Sequence, residues 1–330
     1  MVAEGSPHPS TSPGVNGTGA AYTRRVELPR PFGPFMLEKK LGQGGMAEVF
    51  RARVFGASGF EKVVVLKTLR EELLGTPELE RMFLEEARLQ ARLSHRNLVQ
   101  AHDLGVTEGR PWVRLDYVDG VDLSALALPL PVELARFIGA ELSLGLHALH
   151  EARDEAGREL GIVHRDVSRK NVLLSRLGEV RLADFGIARA TQLREQTRGG
   201  VRKGTWAYMS PEQVSGRPLS ATSDQFSLAT LLVELLTGAR PFDGPTPLET
   251  MDRIRDAVPP ALEGVAVELV AVLRRALSKD PAERFGSSRA FRAALLASGP
   301  VADELALADH LASIQQAPVV VDAQTRIDTA

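Results

Sequence analysis

Residues 164–186 read HRDVSRKNVLLSRLGEVRLADFG. Asn171 lies five residues after Asp166, and Asp184 lies eighteen after Asp166. Those separations fit a hairpin that returns one carboxylate beside another, with an amide between. Taken singly, Asp and Asn in loops are most often turn formers. What these three do therefore rests on what else the chain carries, and in which order.

Upstream, Leu41–Phe50 reads LGQGGMAEVF. Gly42, Gly44 and Gly45 let backbone N–H groups approach an anion with no Cβ in the way. By itself the segment fits an ordinary tight hairpin as well. No helix opens after the glycines, which disfavours a dinucleotide-binding turn. Lys62–Lys67 (KVVVLK) predicts a short buried strand ending on a lysine. Pro77 to Leu93 predicts a helix with Phe83, Ala87, Leu89 and Leu93 near one face and acidic residues in its first turns. Downstream come Ser210-Pro211-Glu212 and helical patterns at 131–150, 222–237, 266–277, 287–297 and 301–316. Gly238 after VELLT is a helix stop. The pattern thus places a small β-rich lobe before a larger helical one.

The 330 residues are 44% hydrophobic and 25% charged, a globular composition. Forty basic and forty-two acidic residues leave a net charge of −2, which argues against nucleic acid as a partner. With no cysteine, disulfides, thiolate zinc sites and thiol nucleophiles are excluded. No apolar run reaches the ~18–20 residues that span a bilayer, and the start lacks a signal-peptide pattern. These features predict a cytoplasmic protein without a membrane span. Residues 1–30, rich in Pro, Gly, Ser and Thr, read as a disordered tail.

The ordered set (a glycine loop, Lys67, His164-Arg165-Asp166 with Asn171, Asp184-Phe185-Gly186, Ser210-Pro211-Glu212) resembles the protein kinase family in its bacterial, eukaryotic-like Ser/Thr form. GGMAEVF, HRDVS and GTWAYMSPEQ are similar to myxobacterial members. The resemblance implies an α+β, bilobal kinase-like fold over 31–298, with an N-lobe at about 35–116, a hinge at 116–119 and a C-lobe at 120–298. Residues 299–330 are then a C-terminal helix and flexible tail. It implies transfer of the γ-phosphoryl group of Mg-ATP, with Mn2+ as a substitute cation, to protein Ser/Thr hydroxyls. Self-association for autophosphorylation in the activation segment is implied as well.

By the same resemblance, Gly42, Gly44 and Gly45 cover the phosphates, and Val49 packs on the adenine, with Leu41 and Leu173 in the nucleotide-binding set. Lys67 binds the α/β-phosphates, oriented by Glu86, nine residues before His95. Backbone at Asp116 and Val118 holds the adenine, and Leu115 gates the back pocket. Asp166 orients or deprotonates the acceptor hydroxyl, and Asn171 and Asp184 hold the metal. His164 is architectural, beneath Phe185. Arg165 implies control by a phosphate, for which Thr191 and Thr197 are candidates among Arg194, Arg198, Arg202 and Lys203. Thr205 contacts Asp166, Glu212 pairs with Arg284, and Asp224 caps backbone N–H groups of the catalytic loop.

The chain departs from the family pattern at a few positions. Ser168 stands where a lysine is usual, and Lys170 is expected to supply the lost charge catalytically. Ala47 replaces a third glycine, and Arg96 a proline. Gln90 occupies an apolar packing position and is expected to loosen the helix that carries Glu86. Residues 151–160 read as a small polar hairpin. Ser168 and Gln90 motivate a rival reading, a nucleotide-sensing pseudokinase scaffold. The retained Lys67, Glu86, Asp166, Asn171 and Asp184 oppose it. A small-molecule phosphotransferase would lack the segment Thr205–Glu212.

Overall fold

The computed structural model describes residues 27–184, 206–259 and 261–316. Most of the 1–30 tail, Phe185 to Thr205 and the stretch after Gln316 therefore lie outside the described residues.

Six antiparallel strands form the first sheet: β1 (Arg30–Phe32), β2 (Phe35–Gln43), β3 (Ala47–Phe55), β4 (Glu61–Leu69), β5 (Ala101–Thr107) and β6 (Arg110–Asp116), in the order β1-β2-β3-β4-β6-β5. The first strand starts at Arg30, ahead of the N-lobe boundary expected at about residue 35. Strand alternation decides what faces the cleft. Val64 and Leu66 point into an outer cluster with Phe32, Phe35, Leu37 and Phe50. Val65 and Leu69 point the other way, into a cluster with Phe83, Ala87 and Leu115. Lys67, between them in the same phase, points toward helix α1 (Pro77–Ala91). Proline at N1 and Glu78 and Glu80 in the first turn start that helix. Its buried positions are Phe83, Glu86, Ala87 and Gln90, one stripe at i, i+3, i+4 and i+7.

A second sheet, β7 (Gly120–Asp122), β8 (Val172–Ser175) and β9 (Val180–Leu182), opens the helical lobe. Its core is α2 (Val132–His150) against a later helix, with Gly139 so close to Leu232 that an added Cβ would lie 2.8 Å from a Leu232 methyl. After the single turn α3 (Pro211–Val214) comes that helix, α4 (Ala221–Thr237), buried all round from Ser223 to Leu235. Gly238 ends it with φ +78°, its N–H donating to Glu234 O. Then follow α5 (Pro247–Asp256), α6 (Val267–Ala276), α7 (Ser288–Ala297) and α8 (Glu304–Gln316).

Helix α5 is absent from the hydrophobic pattern because it buries only Thr250 and Ile254. Its capping signal was legible: Thr246 accepts from the Glu249 N–H, with Pro247 at N1. Residues 151–160 form a polar hairpin, bridged at Arg153 and Glu159 and turning at Gly157 with φ +77°.

The helix expected over 301–316 starts at Glu304, capped by Asp303, and packs on the C-lobe through buried Leu307 and Leu311. The linker before it is pinned by Arg136 of α2. That nearly enclosed guanidinium donates to Ser298 Oγ (3.1 Å), Ser298 O and Pro300 O. Arg96, between α1 and β5, pairs with Glu141 of α2 and with Glu304 (3.3 Å). Gly178, in the β8–β9 turn, lies so near Glu304 that a Cβ would fall 1.8 Å from its carbonyl oxygen.

Candidate active site

Lys67 Nζ lies 2.9 Å from Glu86 Oε1 and 2.9 Å from Asp184 Oδ1. The strand phase of β4, the buried stripe of α1 and the end of β9 converge on this ammonium. Burial alone would lower the lysine's pKa. The charges of Asp184 and Glu86 outweigh that and raise it, so it stays a cation. Asp184 sits at φ +57°, in the left-handed region that aspartate tolerates better than most residues. Hydrogen bonds place it there: Leu182 N–H donates to Asn97 O, Val99 N–H donates to Leu182 O, and Ala183 N–H donates to Asn171 O at 2.8 Å. Its side chain is 48% exposed, so it opens onto the cleft rather than into the core. Glu85 stays off the buried stripe.

The loop from His164 to Asn171 hangs from one carboxylate. Asp224, enclosed in α4, accepts the His164 N–H (Oδ2) and the Arg165 N–H (Oδ1), each at 2.8 Å. Arg165 is at φ +70°, and Gln213 Nε2 donates to its carbonyl at 2.7 Å. His164 is fully buried and neutral, its pKa lowered by burial. Its Nδ1 accepts the Asp166 N–H (3.3 Å), so Nε2 carries the hydrogen and donates to Ala183 O (3.2 Å). One imidazole thereby joins the Asp166 loop to the strand that delivers Asp184. Asn171 Nδ2 donates to Asp166 Oδ2 at 2.6 Å and to Asp166 O at 2.8 Å. That leaves the amide oxygen as its acceptor.

Sequence reasoning missed His150. Its Nε2 lies 2.8 Å from Asp224 Oδ2, and its Nδ1 lies 3.2 Å from Ser288 Oγ. No sequence signal marks a histidine that meets its partner 74 positions on. Burial by itself would raise the Asp224 pKa, but the hydrogen bonds it makes with His150 and with the loop N–H groups hold it below the ordinary carboxylate value. A depressed folded-state pKa gives stability that is complete above the unfolded value of about 3.9 and is lost as pH falls through the folded value. Asp224→Asn should therefore be less stable than wild type at pH 7, and the gap should narrow as pH falls below about 4. Urea unfolding across that range measures it. A gap independent of pH would contradict the assignment.

The glycine loop is the β2–β3 hairpin, with Gly42 paired to Val49 and Gly44 N–H donating to Ala47 O at 2.6 Å. A Cβ on Gly42 would meet nothing within 4 Å. The missing side chain therefore leaves room beneath the ribbon and is not demanded by backbone strain there. Glu48 stiffens the stem through Lys40 and Arg110, each at 2.5 Å. Leu41 is exposed at the rim. Leu115, Val118, Leu173, Val65 and Ala183 form one apolar cluster from both lobes. Val49 pairs with Lys67 across β3–β4. Asp116 ends β6, and its own N–H is taken by Gln100 O.

Gln90 corrects the sequence expectation of a loosened helix. Its buried amide donates to Val99 O at 3.3 Å, which ties α1 to the segment entering β5. Lys170 is exposed, and Ser168 is buried. Arg169 between them turns away to the carbonyls of Leu123, Ser124 and Leu126. Phe185, Thr191, Arg194, Thr197, Arg198, Arg202, Lys203 and Thr205 lie outside the described residues. Beyond them, Ser210 and Gln213 form a capping box on α3. Glu212 meets Arg284 in two bonds, 2.7 and 3.0 Å.

Among the described residues no cluster of three His, Cys, Asp or Glu could hold a metal, and no helix is long and apolar enough to cross a membrane. The Asp184 carboxylate and the Asn171 amide oxygen are hard donors of the kind that suit Mg2+, which usually takes one or two protein ligands and completes its shell with phosphates and water.

A bilobal fold, a lysine held by a helix carboxylate and an Asp–Asn–Asp cleft define a phosphotransfer class. Residues 35–296 match the protein kinase domain family model, and the chain belongs to the protein kinase family. It is similar to tyrosine-protein kinase MasK of Myxococcus xanthus, 38% identical over 89% of this chain and 46% of that protein. It is also similar to serine/threonine-protein kinase PknB of Mycobacterium leprae, 35% identical over 78% of this chain and 41% of that protein. The chain spans about half the length of these curated relatives. The crystal structure of the Mycobacterium tuberculosis PknI kinase domain matches with a TM-score of 0.60 and 29% identity, covering 83% of this chain and 99% of that one.

Proposed function

We propose that the chain is an ATP-dependent protein kinase that transfers the γ-phosphoryl group of Mg-ATP to serine and threonine hydroxyls of proteins, its own activation segment among them. The Lys67–Glu86–Asp184 arrangement carries this reading: the cation is already set beside the carboxylate expected to hold the metal. In phosphoryl transfer, catalysis is mainly positioning and charge neutralisation. Lys67 would orient the α/β-phosphates under the ribbon of Gly42, Gly44 and Gly45. Leu41, Val49, Leu173 and the backbone of Asp116 and Val118 would seat the adenine. Asn171 and Asp184 would hold Mg2+, which when bound neutralises phosphate charge. Asp166 would align the acceptor hydroxyl and take its proton, in a loop fixed by Asp224 and His164. Lys170, exposed beside this loop, would supply charge near the γ-phosphate that Ser168 cannot.

Purified chain incubated with γ-labelled ATP and Mg2+ should label itself and a basic protein substrate on phosphoserine and phosphothreonine. Chelating the divalent cation should abolish the label. Label confined to phosphotyrosine would change the acceptor class toward the one in MasK's name. No label on any protein would leave a nucleotide-binding scaffold as the better reading.

A further inference from the structure

Asp116 has a side chain that points away from the cleft its backbone borders. Its Oδ1 lies 2.6 Å from His102 Nε2, and its Oδ2 lies 3.2 Å from Arg181 Nη1. His102 belongs to β5 of the six-stranded sheet, and Arg181 to β9 of the three-stranded sheet. One carboxylate on the connecting strand therefore joins both lobes behind the adenine position. Arg181 is held further by Glu179 at 3.2 Å. The next residue, Tyr117, lies under the Arg51 guanidinium, 5.5 Å from ring centroid, and Arg51 is itself paired with Glu38. Leu115 and Val118, flanking this pair, join the inner apolar cluster. Outer side chains from β3, β5 and β9 thus grip the two residues whose inner neighbours line the cleft. The side chains of His102, Asp116 and Arg181 are 23% to 32% exposed, enough to weaken each contact but not to erase it.

We infer that His102 and Arg181 are positioning residues for nucleotide binding, which act by stapling Asp116 so that the connecting strand presents its backbone to the adenine at a fixed angle between the lobes. This rests on the kinase reading above. A connecting strand free to sample other lobe angles lowers apparent affinity by the fraction of time it is out of register. Neither residue is placed at the phosphates, so the effect falls on binding and spares the chemical step.

The test uses the full chain with His102→Gln, Arg181→Met, both together, and Arg181→Lys. Calorimetry with Mg-ADP gives Kd, and steady-state kinetics give KM for ATP and kcat. In the double variant Kd and KM should rise about fivefold, with kcat within twofold of wild type. Arg181→Lys should recover most of the Arg181→Met loss. The partly exposed His102→Gln single variant should show a smaller loss in the same direction, and it keeps the test open where the double variant does not fold. Wild-type binding with unchanged Kd and KM in the variants would overturn the staple alone. A wild-type chain that binds no nucleotide would overturn the kinase reading and the staple with it.

Discussion

Asp166→Asn should reduce phosphoryl transfer by about 10²–10⁴-fold, the range for losing a positioned general base, while nucleotide Kd stays within twofold. The substitution keeps shape and removes the carboxylate proposed to take the acceptor's proton. The loop offers no replacement, because Asp224 fixes its backbone at His164 and Arg165, and His164 fixes the Asp166 N–H. Asn171 would still meet the backbone carbonyl of residue 166, so the hairpin should keep its form. Single-turnover rates with melting curves for both chains measure the effect. A rate within tenfold of wild type would remove Asp166 from the chemistry.

Arg284→Ala should cost about 3–5 kcal/mol of stability, the scale for stripping one partner from an enclosed ion pair. Arg284 is wholly enclosed. Besides its two bonds to Glu212 it donates to Ser278 O and Thr222 O, and its guanidinium lies 5.0 Å from the Phe226 ring centroid. Burial alone would raise the Glu212 pKa, and Arg284 with Ser223 holds it low; without Arg284 the enclosed carboxylate either stays charged and unpaired or takes up a proton, and both cost stability. At roughly 2–4 °C per kcal/mol for a chain of this size, the melting temperature should fall by about 6–20 °C. Arg284→Met with Glu212→Gln should melt higher than Arg284→Ala, because no lone charge is left inside. A single variant that melts as wild type would show the pair to be dispensable.

These residues were singled out because their ordered set resembles that of the protein kinase family, and the structure brings Lys67, Glu86 and Asp184 together and joins Asp166 to Asn171. Strand β4 and the long helices were legible from apolar spacing. Helix α5 was not, since its buried stripe is two residues long. The Gln90 reading failed because a polar residue at an apolar position looks like a defect until its acceptor, Val99 O, is located. The links through His150, Arg96 and Arg181 were invisible for a related reason. Each joins elements far apart in sequence through a residue type that is usually a solvated surface group.

The family match ends at residue 296, yet Arg136 reaches past it to Ser298 and Pro300, and Leu307 and Leu311 fill the face beyond. A kinase unit excised at that boundary would strand a guanidinium inside its helical lobe and bare the oily part of the core that Leu307 and Leu311 cover. Such a fragment would be expected to clump during purification, and the fault would lie with the cut and not with the enzyme.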